Sequence, residues 1–272
     1  TSPLSEREID FLFSLLRRLR ENGITIIYIS HRLEEIFALT DSVSVMRDGQ
    51  MVVTHRTSEV DHHALVSYMI GRELEDFYPK SQTQTGSVAL EIKNFCVRHP
   101  VQARNIVDNV SMTFRQGEIV GISGLLGAGR TELMSAVIGV YTCSGTGEIL
   151  LAGKPVHIKG ARQAVKLGIG FITESRKENG LILAQSIRTN ISLASLDRIK
   201  RAGMLNRRKE NALAKEHVQN LRIKTAGIAN PVSSLSGGNQ QKVVLGKWLA
   251  TKPKILIMDE PTRGVDVGAK FE

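Results

Sequence analysis

The eight residues Gly124-Leu125-Leu126-Gly127-Ala128-Gly129-Arg130-Thr131 constrain this chain more than any other stretch. They follow a largely apolar run, Glu118 to Ser123, and lead into a helical pattern through Leu133, Val137 and Ile138, so the order is strand, glycine loop, helix. Backbone N–H groups at a helix N-terminus lack intrahelical partners and sit at the positive end of the helix dipole, which makes such a loop a cradle for phosphate. Gly124, Gly127 and Gly129, with Ala128 between the last two, permit close approach of the backbone to an anion, and the Thr131 hydroxyl occupies the position that reaches Mg²⁺. Arg130 stands where such loops usually carry Lys. The positive charge is kept, but a planar guanidinium fork differs in shape from a compact ammonium at the β- and γ-phosphates. The loop is therefore expected to bind a nucleotide, with hydrolysis there slowed or lost.

A strand far along the chain supplies the other half of such a site. Ile255-Leu256-Ile257-Met258 ends in Asp259-Glu260. Coming about 130 residues after the loop, the first carboxylate suits Mg²⁺ and the second suits polarising an attacking water. Other segments frame this pair. Alternating strands are expected at Ala89 to Phe95 and Val110 to Phe114, a hairpin at Gly147 to Ile158, a strand at Ile169 to Thr173, helices at Ser186 to Leu196 and Arg207 to Leu221, and a last helix at Asn239 to Ala250. The alternation indicates an α/β domain with a mainly parallel sheet.

Before these elements lies a region of different character. Residues 5 to 21 place Ile9, Leu12, Phe13, Leu16 and Leu19 on one helical face, and Asn22-Gly23 stops the helix. Ile24 to Ser30 is a β-branched run expected to be a strand buried on both faces. A helix near Arg32 to Leu39, a hairpin turning at Asp48-Gly49 and a helix near His62 to Ile70 follow. Residues 80 to 87, Lys-Ser-Gln-Thr-Gln-Thr-Gly-Ser, hold no apolar side chain and are expected to form a linker. Charge changes across it: residues 1 to 87 carry 9 Lys and Arg against 13 Asp and Glu, whereas residues 88 to 272 carry 27 against 14. A basic surface of that size suits nucleic acid, anionic lipid or a phosphorylated ligand. Cys96 and Cys143 fit neither a metal spacing nor a disulfide framework, which points to a reducing, cytoplasmic setting. No apolar run approaches the roughly 18 to 20 residues needed to cross a bilayer.

Leu235-Ser236-Gly237-Gly238-Asn239-Gln240-Gln241-Lys242 adds a second anion-seeking helix start, one more than a simple phosphate-loop enzyme needs. Here the sequence resembles the ATP-binding subunit of ABC transporters, in which the Ser-Gly-Gly signature of one cassette closes over ATP held by the loop of another. With Arg130 in the loop and Glu260-Pro261-Thr262-Arg263-Gly264-Val265-Asp266-Val267-Gly268-Ala269-Lys270, it looks like the second cassette of bacterial monosaccharide importers of the ribose, galactose and xylose type. The resemblance implies a P-loop NTPase cassette, α/β, with a mainly parallel central sheet, an antiparallel β subdomain and a helical signature subdomain. It implies ATP and Mg²⁺ as cofactors, with Thr131 and Asp259 on the metal and Glu260 as the catalytic carboxylate. Gly124, Gly127, Ala128, Gly129, Arg130, Thr131, Glu174, Ser236, Gly237, Gly238 and Asp266 would face nucleotide. Glu174 occupies the place of the usual glutamine in the loop that senses the γ-phosphate.

The first region resembles the end of a preceding cassette: Thr1 to Ser5 looks like the close of its Walker B and D-loop segment, and Tyr28-Ile29-Ser30-His31-Arg32 like its switch-histidine segment, with His31 catalytic. On this resemblance residues 1–80 are the C-terminal part of a first cassette, 81–87 a linker and 88–272 a second cassette lacking its C-terminal end. The intact protein would be a peripheral ATPase on the cytoplasmic face of the bacterial inner membrane, energising monosaccharide import. Its partners would be membrane permease subunits, a periplasmic sugar-binding protein indirectly, and another cassette of the same or a second subunit. No nucleic acid is expected, and the isolated piece is expected to be weakly active or inactive. The alternative is a tandem-cassette ATPase factor acting on ribosomes or other nucleic acid, supported by the basic residues Arg198, Lys200, Arg201, Arg207, Arg208, Lys209 and Lys215. The short linker argues against it.

Overall fold

The computed structural model describes residues 6–30, 32–47, 49–71, 84–125, 127–143, 145–201 and 203–265. The chain divides into two compact units, one comprising Thr1–Pro79 and Gly264–Glu272, the other Lys80–Arg263. Among the described residues no helix is long and apolar enough to cross a membrane.

In the first unit, α1 (Glu6–Glu21) turns the stripe Ile9, Leu12, Phe13, Leu16 and Leu19 to its buried or half-buried side while the residues between stay exposed. Gly23, at φ 81°, ends it in the left-handed region that favours glycine. Then come α2 (Leu33–Leu39) and an antiparallel hairpin of β1 (Ser42–Arg47) and β2 (Gln50–Arg56), whose predicted turn residue Asp48 lies outside the described residues. The helix α3 (His62–Ile70) starts where the Asp61 carboxylate accepts from the Ala64 N–H at 2.7 Å. Leu33, Val45, Leu65 and Val66 form the buried core of this unit.

One expectation fails here. Ile24 to Ser30 is not a strand, and Ile27 and Ile29 are 88% and 93% exposed. A parallel strand takes its backbone hydrogen bonds from neighbours on each side, and the described residues give this run no ladder.

The second unit begins with β3 (Val88–Arg98) and β4 (Asn105–Arg115), paired antiparallel. After the glycine loop come α4 (Arg130–Val137), β5 (Gly145–Leu151) and β6 (Lys154–Pro155), and the sheet order is β4-β3-β5-β6. Leu90, Ile92, Phe95 and Val97 of β3 pack with Leu133, Val137 and Ile138 in one buried cluster. Phe95 is thus a core residue. The helix α5 (Ala161–Lys166) leads to β7 (Ile169–Ile172), buried at every position. A helical region follows: α6 (Ile187–Ser192), α7 (Leu196–Ile199), the two-residue strands β8 (Lys200–Arg201) and β9 (Met204–Leu205), α8 (Arg207–Asn220) and α9 (Gly237–Leu249). Ile187, Ile191, Ala214, Val243 and Val244 make its core. Finally β10 (Ile255–Met258) pairs parallel with β7, with Ile255 opposite Ile169 and Met258 opposite Ile172.

The β7–β10 pair is the parallel ladder found among the described residues. The expected strand Glu118 to Ser123 joins no ladder; Ile119 is fully exposed and Val120 is 45% exposed. As at residues 24–30, an apolar run becomes a strand only where another strand lies alongside it.

Candidate functional site

The glycine loop meets α4 at Gly129, which caps the helix at φ 83°. A Cβ there would stand 2.6 Å from the backbone oxygen of Ile106, so both the φ and the space require glycine. Gly127 also has a positive φ, 78°, but open space around it. At Gly124 a Cβ would meet Ala128 Cβ at 3.1 Å and Arg130 Cδ at 3.6 Å, so the stem of Arg130 lies along the loop. The loop is drawn in by a bond from the Ala128 N–H to the Leu125 carbonyl at 3.1 Å. Gly129 has no side chain to cap the first turn of α4, which leaves that end suited to an anion.

Thr131, on that first turn, donates its hydroxyl to Asp259 Oδ2 at 2.6 Å, across 128 residues of sequence. Asp259 is held in place because its own N–H continues the β7–β10 ladder to the Ile172 carbonyl at 2.9 Å. A hydroxyl and a carboxylate oxygen thus converge beside the glycine loop. That oxygen pair matches the hard ligands Mg²⁺ prefers, with phosphate and water to complete a shell.

Glu260 follows with φ 41°, an uncommon backbone state for a non-glycine residue. The chain turns there, with the Arg263 N–H donating to the Glu260 carbonyl at 2.9 Å. Arg263 Nη1 lies 3.9 Å from Glu260 Oε2 and forms an ion pair with Glu174 Oε1. Arg176 donates from Nη1 to the Arg263 carbonyl at 2.8 Å and from Nε to Gln240 Oε1 at 3.5 Å. Glu174 is therefore joined to the segment after β10, and Arg176 extends the connection to α9. Sequence reasoning noted the Glu at 174 but assigned no partner to it; the signal was present, since a carboxylate in a phosphate-facing loop calls for a cation.

The Ser236-Gly237-Gly238 start of α9 is exposed at Ser236, whose side chain caps no backbone N–H and instead takes a bond from Asn239 Nδ2 at 2.9 Å. Asn239 Oδ1 accepts from the Lys224 N–H at 2.7 Å, which pins this turn. Among the described residues no hydrogen bond joins Ser236, Gly237 or Gly238 to the glycine loop.

His31 and Asp266 lie outside the described residues, as do Thr1 to Ser5 and residues 81–83 of the expected linker. Around position 31, however, the Glu35 carboxylate is 2% exposed and accepts from Tyr28 Oη and Ser30 Oγ, each at 2.8 Å. Arg32 Nη1 pairs with Glu35 Oε1 at 3.0 Å, so one buried carboxylate holds the residues on both sides of the histidine. In the basic stretch, Lys200 pairs with Asp197, Arg207 with Glu210, and Arg198 donates to the Ala250 carbonyl.

A family model described as "ABC transporter" matches residues 107–263. The xylose import ATP-binding protein XylG of Thermoanaerobacter pseudethanolicus is 44% identical over 273 residues, covering all of this chain and 54% of that protein. The ribose import ATP-binding protein RbsA of Bacillus subtilis is 49% identical over 272 residues, with the same coverage. The chain thus spans about half the length of the curated relatives it matches. Among solved structures, a nucleotide-free ATP-binding cassette from an ABC transporter superposes with TM-score 0.55 at 20% identity, over 67% of this chain and 73% of that one. A cassette in its ADP conformation gives 0.53 at 23% identity, over 67% and 72%. These two likenesses concern the fold.

Proposed function

This chain belongs to the ABC transporter family, and from that premise we propose that its parent is a tandem-cassette ATPase energising import of a monosaccharide such as ribose or xylose. Residues 88–272 are read as most of the second cassette and residues 1–80 as the end of the first. Support for the sugar comes from the named activities of relatives 44% and 49% identical to the chain. The observation that carries the nucleotide site is the 2.6 Å contact of Thr131 with Asp259 at the mouth of the glycine loop.

In this reading the backbone N–H groups of Gly127 to Thr131 hold the ATP phosphates, and Arg130 adds a fixed positive charge. Thr131 and Asp259 are the residues that would hold Mg²⁺, which when bound neutralises charge on the phosphate oxygens. Glu260 accepts a proton from the water that attacks the γ-phosphate, and Glu174 borders the same space. Ser236, Gly237 and Gly238 present their helix start to ATP bound by the other cassette, and Asp266 is read as a further nucleotide-binding residue. His31 serves the first cassette. The partners are a membrane permease and, through it, an external sugar-binding protein; the subunit sits on the cytoplasmic side of the membrane.

The guanidinium of Arg130 makes the second cassette the slower hydrolytic site. The test is phosphate release by the intact subunit assembled with its permease in vesicles. Ribose, xylose or galactose, presented with the binding protein, should stimulate release. Glu260→Gln should lower the stimulated rate less than about threefold, while the matching change in the first cassette should lower it more than about a hundredfold. Equal losses would overturn the asymmetry, and no stimulation by any of the three sugars would overturn the importer reading.

A further inference from the structure

We infer that Arg263 is a positioning residue for the nucleotide site: its guanidinium is the shared countercharge that lets Glu174 and Glu260 stand side by side. The inference rests on the nucleotide-site reading above. Its starting point is register. Met258 lies opposite Ile172 in the parallel β10–β7 pair, so residues two beyond each strand end, Glu260 and Glu174, leave the sheet at matching positions. Neighbouring strands run about 4.8 Å apart, which puts two carboxylates beside each other at the edge of a phosphate site. Unscreened, they disfavour each other and any polyphosphate brought near them.

Arg263 answers that charge. The positive φ of Glu260 turns the chain, the Arg263 N–H closes the turn on the Glu260 carbonyl at 2.9 Å, and the guanidinium folds back to pair with Glu174 while lying 3.9 Å from Glu260. Its backbone is held from the other side, where Arg176 donates to the Arg263 carbonyl at 2.8 Å and reaches Gln240 of α9. Arg263 therefore links three parts of the site: the strand end carrying Glu174, the turn carrying Glu260, and, through Arg176, the helix α9 that follows Ser236. The three side chains of the ion cluster are each between 38% and 47% exposed, so the cluster is open to solvent and to an arriving ligand. Its effect is electrostatic more than structural, since open ion pairs add little to stability.

The experiment is a double-substitution cycle on the full 272-residue chain, read as the dissociation constant of a fluorescent ATP analogue with Mg²⁺. Arg263→Gln should weaken binding at least about tenfold, and Arg263→Lys, which keeps the charge, by no more than about threefold. On an Glu174→Gln background, where one of the two carboxylates is gone, Arg263→Gln should cost less than about twofold. A merely structural arginine is not relieved by removing an opposing charge. The inference is overturned if Arg263→Gln leaves binding unchanged, or if its cost is the same on both backgrounds. A wild-type chain that binds no nucleotide overturns the nucleotide-site reading itself, and this inference with it.

Discussion

Lys247→Met should change how the second unit responds to pH. Lys247 lies in α9 beside the fully buried Val243 and Val244 and is itself only 7% exposed. Its Nζ donates to the Gly180 carbonyl at 2.5 Å and stands 5.2 Å from the centre of the Trp248 ring. Burial brings its pKa down from 10.5 to about 8, because the charged form loses its hydration. That fall corresponds to a penalty of about 3 kcal/mol on the ammonium, a ceiling because the carbonyl and the ring both favour the charge. The sign follows from proton counts. Below pH 8 folded and unfolded chains both carry the proton, and the whole penalty is present. Between about 8 and 10.5 the unfolded chain binds more protons than the folded one, so stability rises with pH; above that window nothing more is gained. Methionine cannot titrate, so the stability difference between variant and wild type should move by about 2 to 3 kcal/mol in favour of wild type from pH 7 to pH 10.5. Other titrating groups cancel in that difference. Urea unfolding followed by the fluorescence of Trp248, the single tryptophan, reads the unit that contains Lys247. A difference that stays constant across the window would refute the reasoning.

Three substitutions in the glycine loop separate backbone from ligand effects. Gly129→Ala must fit a Cβ 2.6 Å from a backbone oxygen at φ 83°, so it should cost about 2 to 4 kcal/mol in urea unfolding, whereas Gly127→Ala, with open space, should cost about 1. Equal costs would show that the loop does not approach Ile106 as described. Thr131→Ala removes the hydroxyl that lies 2.6 Å from Asp259, so the gain in nucleotide affinity on adding Mg²⁺ should shrink about tenfold while affinity without Mg²⁺ changes less than about twofold. A loss of the same size without the metal would detach Thr131 from the cation.

What could be read in advance follows the range of the interactions involved. The stripe of α1, the β1–β2 hairpin and the helix α3 are set by residues a few places apart, and each lies where periodicity and turn residues put it. Ile24 to Ser30 and Glu118 to Ser123 carry the same apolar signal as β10, yet among the described residues only β10 of the three has a neighbour, β7, to complete its ladder. Apolarity reports a tendency to be buried; pairing depends on what lies alongside.

The same division runs through the site. Glycines before a helix and a carboxylate after an apolar strand can be recognised one segment at a time, because each does its chemistry with its own backbone and side chain. Arg263 could not, because nothing in Glu-Pro-Thr-Arg says where the guanidinium goes. Its place depends on the register of β10 on β7, on the positive φ at Glu260, and on Arg176 reaching across to hold its carbonyl. The unusual carboxylate at 174 and the arginine at 263 stand 89 residues apart in sequence, and the parallel pair makes them neighbours. A charge in a phosphate site is thus half of a statement, and its other half, Arg263, lies in the turn that follows the adjoining strand.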